Sequence, residues 1–106
     1  MGTSESYIKY VISCLDKNMV TEYKKMFGEY MIYINRKPLL LVCDNTVYVK
    51  MIPQLRGILD ENSIGYPYNG AKEHYILDFE NSVLTNEVIN ILDINIQQKL
   101  RKNKPK

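Results

Sequence analysis

The chain has 106 residues, a formal net charge of +2, 45% hydrophobic residues and 25% charged ones. A chain of this length is one domain that buries roughly 65% of the surface its unfolded form exposes, so a single core needs no staples. The composition argues against disorder, and the charge is too small to demand nucleic acid or a membrane as partner.

A first helix is expected over 4–17. Ile8, Val11, Ile12 and Leu15 recur at three- and four-residue spacing, Thr3 or Ser4 suits the cap, and Glu5 suits the positive end of the helix dipole. The stretch 23–50 organises the chain. Three apolar runs, 26–34, 39–43 and 47–49, are divided by Asn35-Arg36-Lys37-Pro38 and by Asp44-Asn45, which predicts a three-stranded antiparallel meander. Asp44-Asn45 fits a two-residue hairpin, because both residues tolerate positive φ. Gly28 inside the first run reads as a bulge. Leu39, Leu40, Leu41 and Val42 are apolar on both faces, which predicts a central strand.

Pro53 opens a second helix reaching the neighbourhood of Asn62-Ser63, with Leu55, Ile58 and Leu59 as its stripe and Gly65 as its cap. Gly57 weakens that helix by about 1 kcal/mol relative to alanine. Asn69-Gly70 is a hairpin signal before a strand at 73–79, whose upstream partner Pro67 confines to an edge. A last helix is expected over 86–102, capped by Thr85. Val88, Ile89, Leu92, Ile96 and Leu100 form its stripe, and Ile91 and Ile94 widen it enough to suggest cover by a partner chain, a second copy included. The order is helix, three strands, helix, two strands, helix. That is a two-layer α+β domain, an antiparallel sheet with helices on one face. The first six residues are polar and no run approaches the ~20 apolar residues of a membrane span, so no signal peptide and a cytoplasmic protein are expected.

Chemistry-bearing residues are few. His74 is the single histidine. On a strand it shares a face with Asp78 at about 13 Å, too far for a hydrogen bond. A Cys–His pair would need Cys14 or Cys43 to reach it, which no spacing indicates. The two cysteines read as buried thiols of a reducing compartment, with a disulfide left open by sequence. No metal-ligand spacing and no phosphate loop exist, so no metal and no cofactor are expected. Asp60-Glu61 and Asp78/Glu80 read as solvated carboxylates. Nine tyrosines stand out. Tyr30, Tyr33, Tyr48, Tyr66, Tyr68 and Tyr75 fall on strands or turns, where aromatics either pack beneath helices or stack bases. The terminal group Lys99, Arg101, Lys102 and Lys104, with Lys106, gives candidate phosphate contacts for a nucleic-acid partner.

Met26-Phe27-Gly28-Glu29-Tyr30, then Ile32-Tyr33, a short turn, and a Leu39-to-Cys43 strand ending at Asp44 resemble the N-terminal domain of the TfoX/Sxy family of competence regulators. Val47-Tyr48-Val49-Lys50 matches the next strand of the family. Tyr75 and Asp78-Phe79-Glu80 match a later segment more loosely. The turn is Asn35-Arg36-Lys37 where the family often has Asp-Gly-Lys. The resemblance covers roughly residues 5 to 100. It implies a secretion-chaperone-like α+β fold and a bacterial cytoplasmic protein. It also implies transcriptional regulation of competence through protein contacts with the transcription machinery. Full-length members carry a second, helical domain with no counterpart in these residues, so the expectation is a stand-alone copy. The family brings no catalytic residues. Met26, Phe27, Gly28 and Tyr30 are therefore read as structural: Met26 and Phe27 as core side chains, Gly28 as the bulge. The expectation is a non-enzymatic interaction module, with nucleic-acid binding as the alternative.

Overall fold

The computed structural model describes residues 3–26, 29–59, 61 and 63–96. Helix α1 spans Glu5–Ser13, and Ser4 caps it by accepting a hydrogen bond from the Tyr7 N–H at 3.2 Å. It stops short of Lys17 for a local reason. The Asp16 carboxylate accepts from the Asn18 N–H at 2.9 Å, and such a side-chain bond draws the backbone out of the helix.

Four strands come after α1: β1 Thr21–Met26, β2 Glu29–Ile34, β3 Lys37–Cys43 and β4 Thr46–Lys50. Strand β1 is the element that hydropathy patterning does not announce. Its sequence TEYKKM is mostly polar, because it forms the edge of the sheet and is exposed at Glu22, Lys24 and Lys25. The turns β2–β3 and β3–β4 are both two-residue hairpins with two successive positive φ angles: Asn35 (53°) and Arg36 (71°), then Asp44 (51°) and Asn45 (54°). That backbone matches the right-handed twist of the flanking strands. Between Ile32 and Tyr33 the β2–β3 register shifts, leaving Leu39 as the extra residue. This bulge explains why Leu39 and Leu40, consecutive in a strand, are both buried in the core.

The expected second helix is one 3-10 turn, Pro53–Leu55. Arg56 is already extended (ψ 133°) and Gly57 sits at φ 85°, so the chain leaves the helical region after a single turn. Two short strands come next, β5 Ile64–Gly65 and β6 His74–Ile76. Gly65 is therefore a strand residue rather than a helix cap. An added Cβ there would lie 3.2 Å from Tyr48 Cε1, so the glycine permits the Tyr48 ring to approach closely. Asn69-Gly70 belongs to a turn closed by Ala71 N–H to Tyr68 C=O at 3.0 Å, within the 66–73 loop rather than in a tight hairpin. Helix α2 runs Ser82–Asn95 and begins earlier than Thr85. Asn81 is the cap, accepting from Leu84 N–H at 3.2 Å, while the buried Thr85 hydroxyl donates to the Asp78 carbonyl.

The six strands of the described residues form one antiparallel sheet in the order β1-β2-β3-β4-β6-β5. Both helices and the 3-10 turn lie on one face, so the two-layer α+β architecture expected from sequence is the architecture found. The core joins Ile8 and Val11 of α1, Val88, Ile89 and Leu92 of α2, and the alternate strand residues Ile32, Ile34, Leu40, Val42, Val47 and Val49. Lys37 fastens α2 to the sheet. Its ammonium lies 3.0 Å from Asp93 Oδ1 and donates to the Asp93 carbonyl. That Oδ1 is buried, with this ion pair as its counter-charge. Thr3 ties the start of α1 to the β3–β4 turn: its hydroxyl donates to Glu29 Oε1 (2.8 Å) and accepts from Asn45 N–H (3.1 Å).

Candidate interaction surface

Because side chains alternate across a strand, the residues between the core positions face away from the helices. Register places four of them in one row: Met31 opposite Leu41, Leu41 opposite Tyr48, and Tyr48 opposite Ile76. The row crosses β2, β3, β4 and β6, and each of its side chains is only half-buried. An apolar stripe thus crosses a sheet face that no helix among the described residues covers. Charges around it are balanced, with Glu22 and Glu29 against Lys24 and Lys50.

The 66–73 loop leaves β5 at the far edge and reaches back over this face. Tyr68, 59% exposed, meets the β2–β3 end of the stripe. Between the loop and the sheet lies a cavity of about 600 Å³ lined by Met26, Glu29, Met31, Leu41, Cys43 and Tyr68. Methionines give such a cleft adaptable walls. Glu29 is engaged, accepting from Thr3 and from Asp44 N–H at 3.1 Å, so it braces the wall. Burial first, then the carboxylates of Glu29 and Asp44, push the Cys43 thiol from 9.0 up to about 11. At neutral pH it is a protonated, weakly nucleophilic wall residue. Burial first, then Cys43 and Asp44, also raise the Tyr48 hydroxyl above its ordinary value.

The candidates read from sequence separate in space. His74 is half-buried, with Nδ1 2.8 Å from the Lys72 carbonyl and its ring edge-on to Tyr48 at 6.4 Å. It faces Lys50 at one end of β4, whereas Cys43 faces Thr46 at the other. Two inter-strand steps and four residues put the pair roughly 16 Å apart. Cys14 caps the C-terminus of α1 on the opposite side of the sheet and is half-buried rather than buried. Both thiols are free. Among the described residues no group of three or more His, Cys, Asp or Glu could hold a metal ion. Asp78 and Glu80 are exposed, and Glu80 accepts from the Tyr10 hydroxyl.

The tyrosines divide between the two faces. Tyr30 and Tyr75 are buried with the helices, Tyr30 edge-on to Tyr23 at 5.7 Å. Tyr33 and Tyr48 face away, and Tyr66 and Tyr68 stand exposed on the loop. Of the signature, Tyr30 is a core side chain as expected, whereas Met26 is not. It ends the edge strand and lines the cavity on the uncovered face, because β1 alternates Met26 with Lys25 rather than continuing into the core. Phe27, Gly28, Lys99, Arg101, Lys102, Lys104 and Lys106 lie outside the described residues, as does Asp60. On α2, Ile94 is exposed and Ile91 half-buried. The stripe itself is not announced by the linear chain. Its signal was present as Met31, Leu41, Tyr48 and Ile76 at alternate strand positions, but only the register joins them. No helix among the described residues is long and apolar enough to cross a membrane.

No family model and no solved structure matches the chain. It is similar to an uncharacterized 12.7 kDa protein in the trpE 5' region of Spirochaeta aurantia, 32% identical over 78 residues, which cover 74% of this chain and 68% of that protein.

Proposed function

We propose, from the premise that this chain belongs to one family with the uncharacterized 12.7 kDa protein of Spirochaeta aurantia, that it is a non-enzymatic interaction module acting through protein contacts in the cytoplasm. The observation that carries this reading is the half-exposed stripe Met31, Leu41, Tyr48 and Ile76 with its adjoining cavity. An apolar, concave surface with a few polar groups at its rim suits an apolar side chain of a partner. The role in transcriptional regulation comes from the resemblance of the Met26 to Tyr30 segment to the TfoX N-terminal domain. Balanced charge around the stripe favours a protein over a nucleic acid, which calls for a positive groove.

The test is affinity capture from host extract with the wild-type chain and with Leu41→Lys, followed by identification of what is retained. A transcription component held by the wild type and lost with Leu41→Lys is the expected result. Capture of no such component by the wild type, or equal capture by both, refutes the reading. Binding of the wild type to a short DNA duplex that fades as salt rises would instead favour the nucleic-acid alternative.

A further inference from the structure

Strand β1 is the outer edge of the sheet, with β2 on one side and, among the described residues, no strand on the other. The Asn35 N–H donates to the Val20 carbonyl at 2.8 Å, which makes 20 and 35 a hydrogen-bonded pair of the β1–β2 ladder. Antiparallel alternation then turns the main-chain groups of Glu22, Lys24 and Met26 toward β2, and those of Thr21, Tyr23 and Lys25 outward. No strand among the described residues pairs with those outward groups. A cavity of about 620 Å³ bordered by Glu22, Tyr23, Lys24, Tyr33 and Arg36 lies along the strand. Val20 leads into it with 60% of its surface exposed.

A free edge invites another strand, and the order of side chains along this one specifies which. We infer that β1 pairs with β1 of a second copy of this chain, about a two-fold axis through Tyr23, joining two sheets into one. A two-fold axis normal to the sheet keeps the uncovered face of one copy beside that of the other. Each residue then meets a partner residue of its own face. Centring the axis on Glu22 would set glutamate against glutamate, and centring it on Lys24 would set lysine against lysine. Centring it on Tyr23 sets Glu22 opposite Lys24 of the second copy, on both sides of the axis. The same register sets exposed Val20 opposite Met26 on that face, and Thr21 opposite Lys25 on the other. Tyr23 then exchanges both main-chain hydrogen bonds with its symmetry mate, as Thr21 does with Lys25, so the outward groups are satisfied. The sequence Val20-Thr21-Glu22-Tyr23-Lys24-Lys25-Met26 is thus self-complementary in charge, apolarity and hydrogen bonding in this one register. A single shared ladder is a small contact, and the dimer is expected to dissociate on the order of 10–100 μM.

Sedimentation equilibrium from about 10 μM to about 1 mM tests this, because the range brackets that expected affinity. The wild-type chain is expected to move from monomer to dimer mass. Glu22→Lys, which sets two lysines facing each other, should weaken association by about tenfold or more. Lys24→Glu should do the same, and an equimolar mixture of the two variants should form a heterodimer. The double variant should recover wild-type affinity. Lys25→Pro should also abolish association, because its N–H points away from β2 and its loss breaks only the proposed ladder. Ile94→Lys, on exposed α2, should change nothing. A chain that stays monomeric to ~1 mM overturns the proposal. So does a dimer that ignores Glu22→Lys and Lys25→Pro, or one that only Ile94→Lys dissolves.

Discussion

The two faces of the sheet are built from the same strands and differ in what their alternate residues meet. Toward the helices, Ile32, Leu40 and Val49 are at most 1% exposed and belong to one continuous cluster. Away from them, Met31, Leu41, Tyr48 and Ile76 are as apolar but only half-buried. Stability should therefore reside in the first face and recognition in the second, even though Leu40 and Leu41 are neighbours in sequence.

Those two leucines give the division its hardest test. Leu40→Ala should cost about 3 kcal/mol in chemical denaturation, since a fully buried leucine leaves a cavity. Leu41→Ala should cost about 1 kcal/mol or less, since its site is open to water. Equal costs would erase the distinction. Next in size is the clamp between α2 and the covered face. Asp93→Ala leaves the Lys37 ammonium without its counter-charge and should lower stability by about 1 kcal/mol, a loss that salt reduces because the pair is partly solvated. A smaller gain is expected in the β2–β3 turn. Arg36 sits at φ 71°, so Arg36→Gly should raise stability by about 0.5 kcal/mol.

The uncovered face also carries a pH signature. The folded Cys43 thiol titrates near 11 against an ordinary 9.0, so ionisation is easier in the unfolded chain. The associated stability is fully present below pH 9.0 and is lost as pH rises through about 11. Denaturation midpoints should fall across that window, and Cys43→Ala should flatten the fall. In the native chain at neutral pH, a thiol reagent should modify half-buried Cys14 well before Cys43. Equal rates would mean that the cavity wall opens readily.

Local chemistry made part of this molecule legible without coordinates. The spacing of Ile8 and Val11, the positive-φ tolerance of Asp44-Asn45 and the apolar run Leu39 to Val42 announce α1, a hairpin and a central strand. β1 escaped that reading because an edge strand keeps polar residues such as Glu22, Lys24 and Lys25 on its exposed positions. Pro53 and Leu55 are sound helix residues and predict a second helix, whereas the extended Arg56 and the positive φ of Gly57 turn the chain away after one 3-10 turn. Met26 reads as core from its place in the signature at the head of the 26–34 run, yet strand alternation points it to the face away from the helices.

Which residues seek burial, and where the chain can turn, depend on side-chain chemistry and on φ/ψ within a few residues. Both are therefore written in the linear chain, and with them the α+β class, the two-residue turn at Asp44-Asn45 and the covered half of the sheet. Folding in three dimensions was needed to set Met31, Leu41, Tyr48 and Ile76 in one row, to bring Tyr68 to them from a distant loop, and to leave the outer edge of β1 without a strand among the described residues. Each of these is a matter of register and strand order between segments far apart in the chain, and register is a property of pairs of strands that no single segment contains.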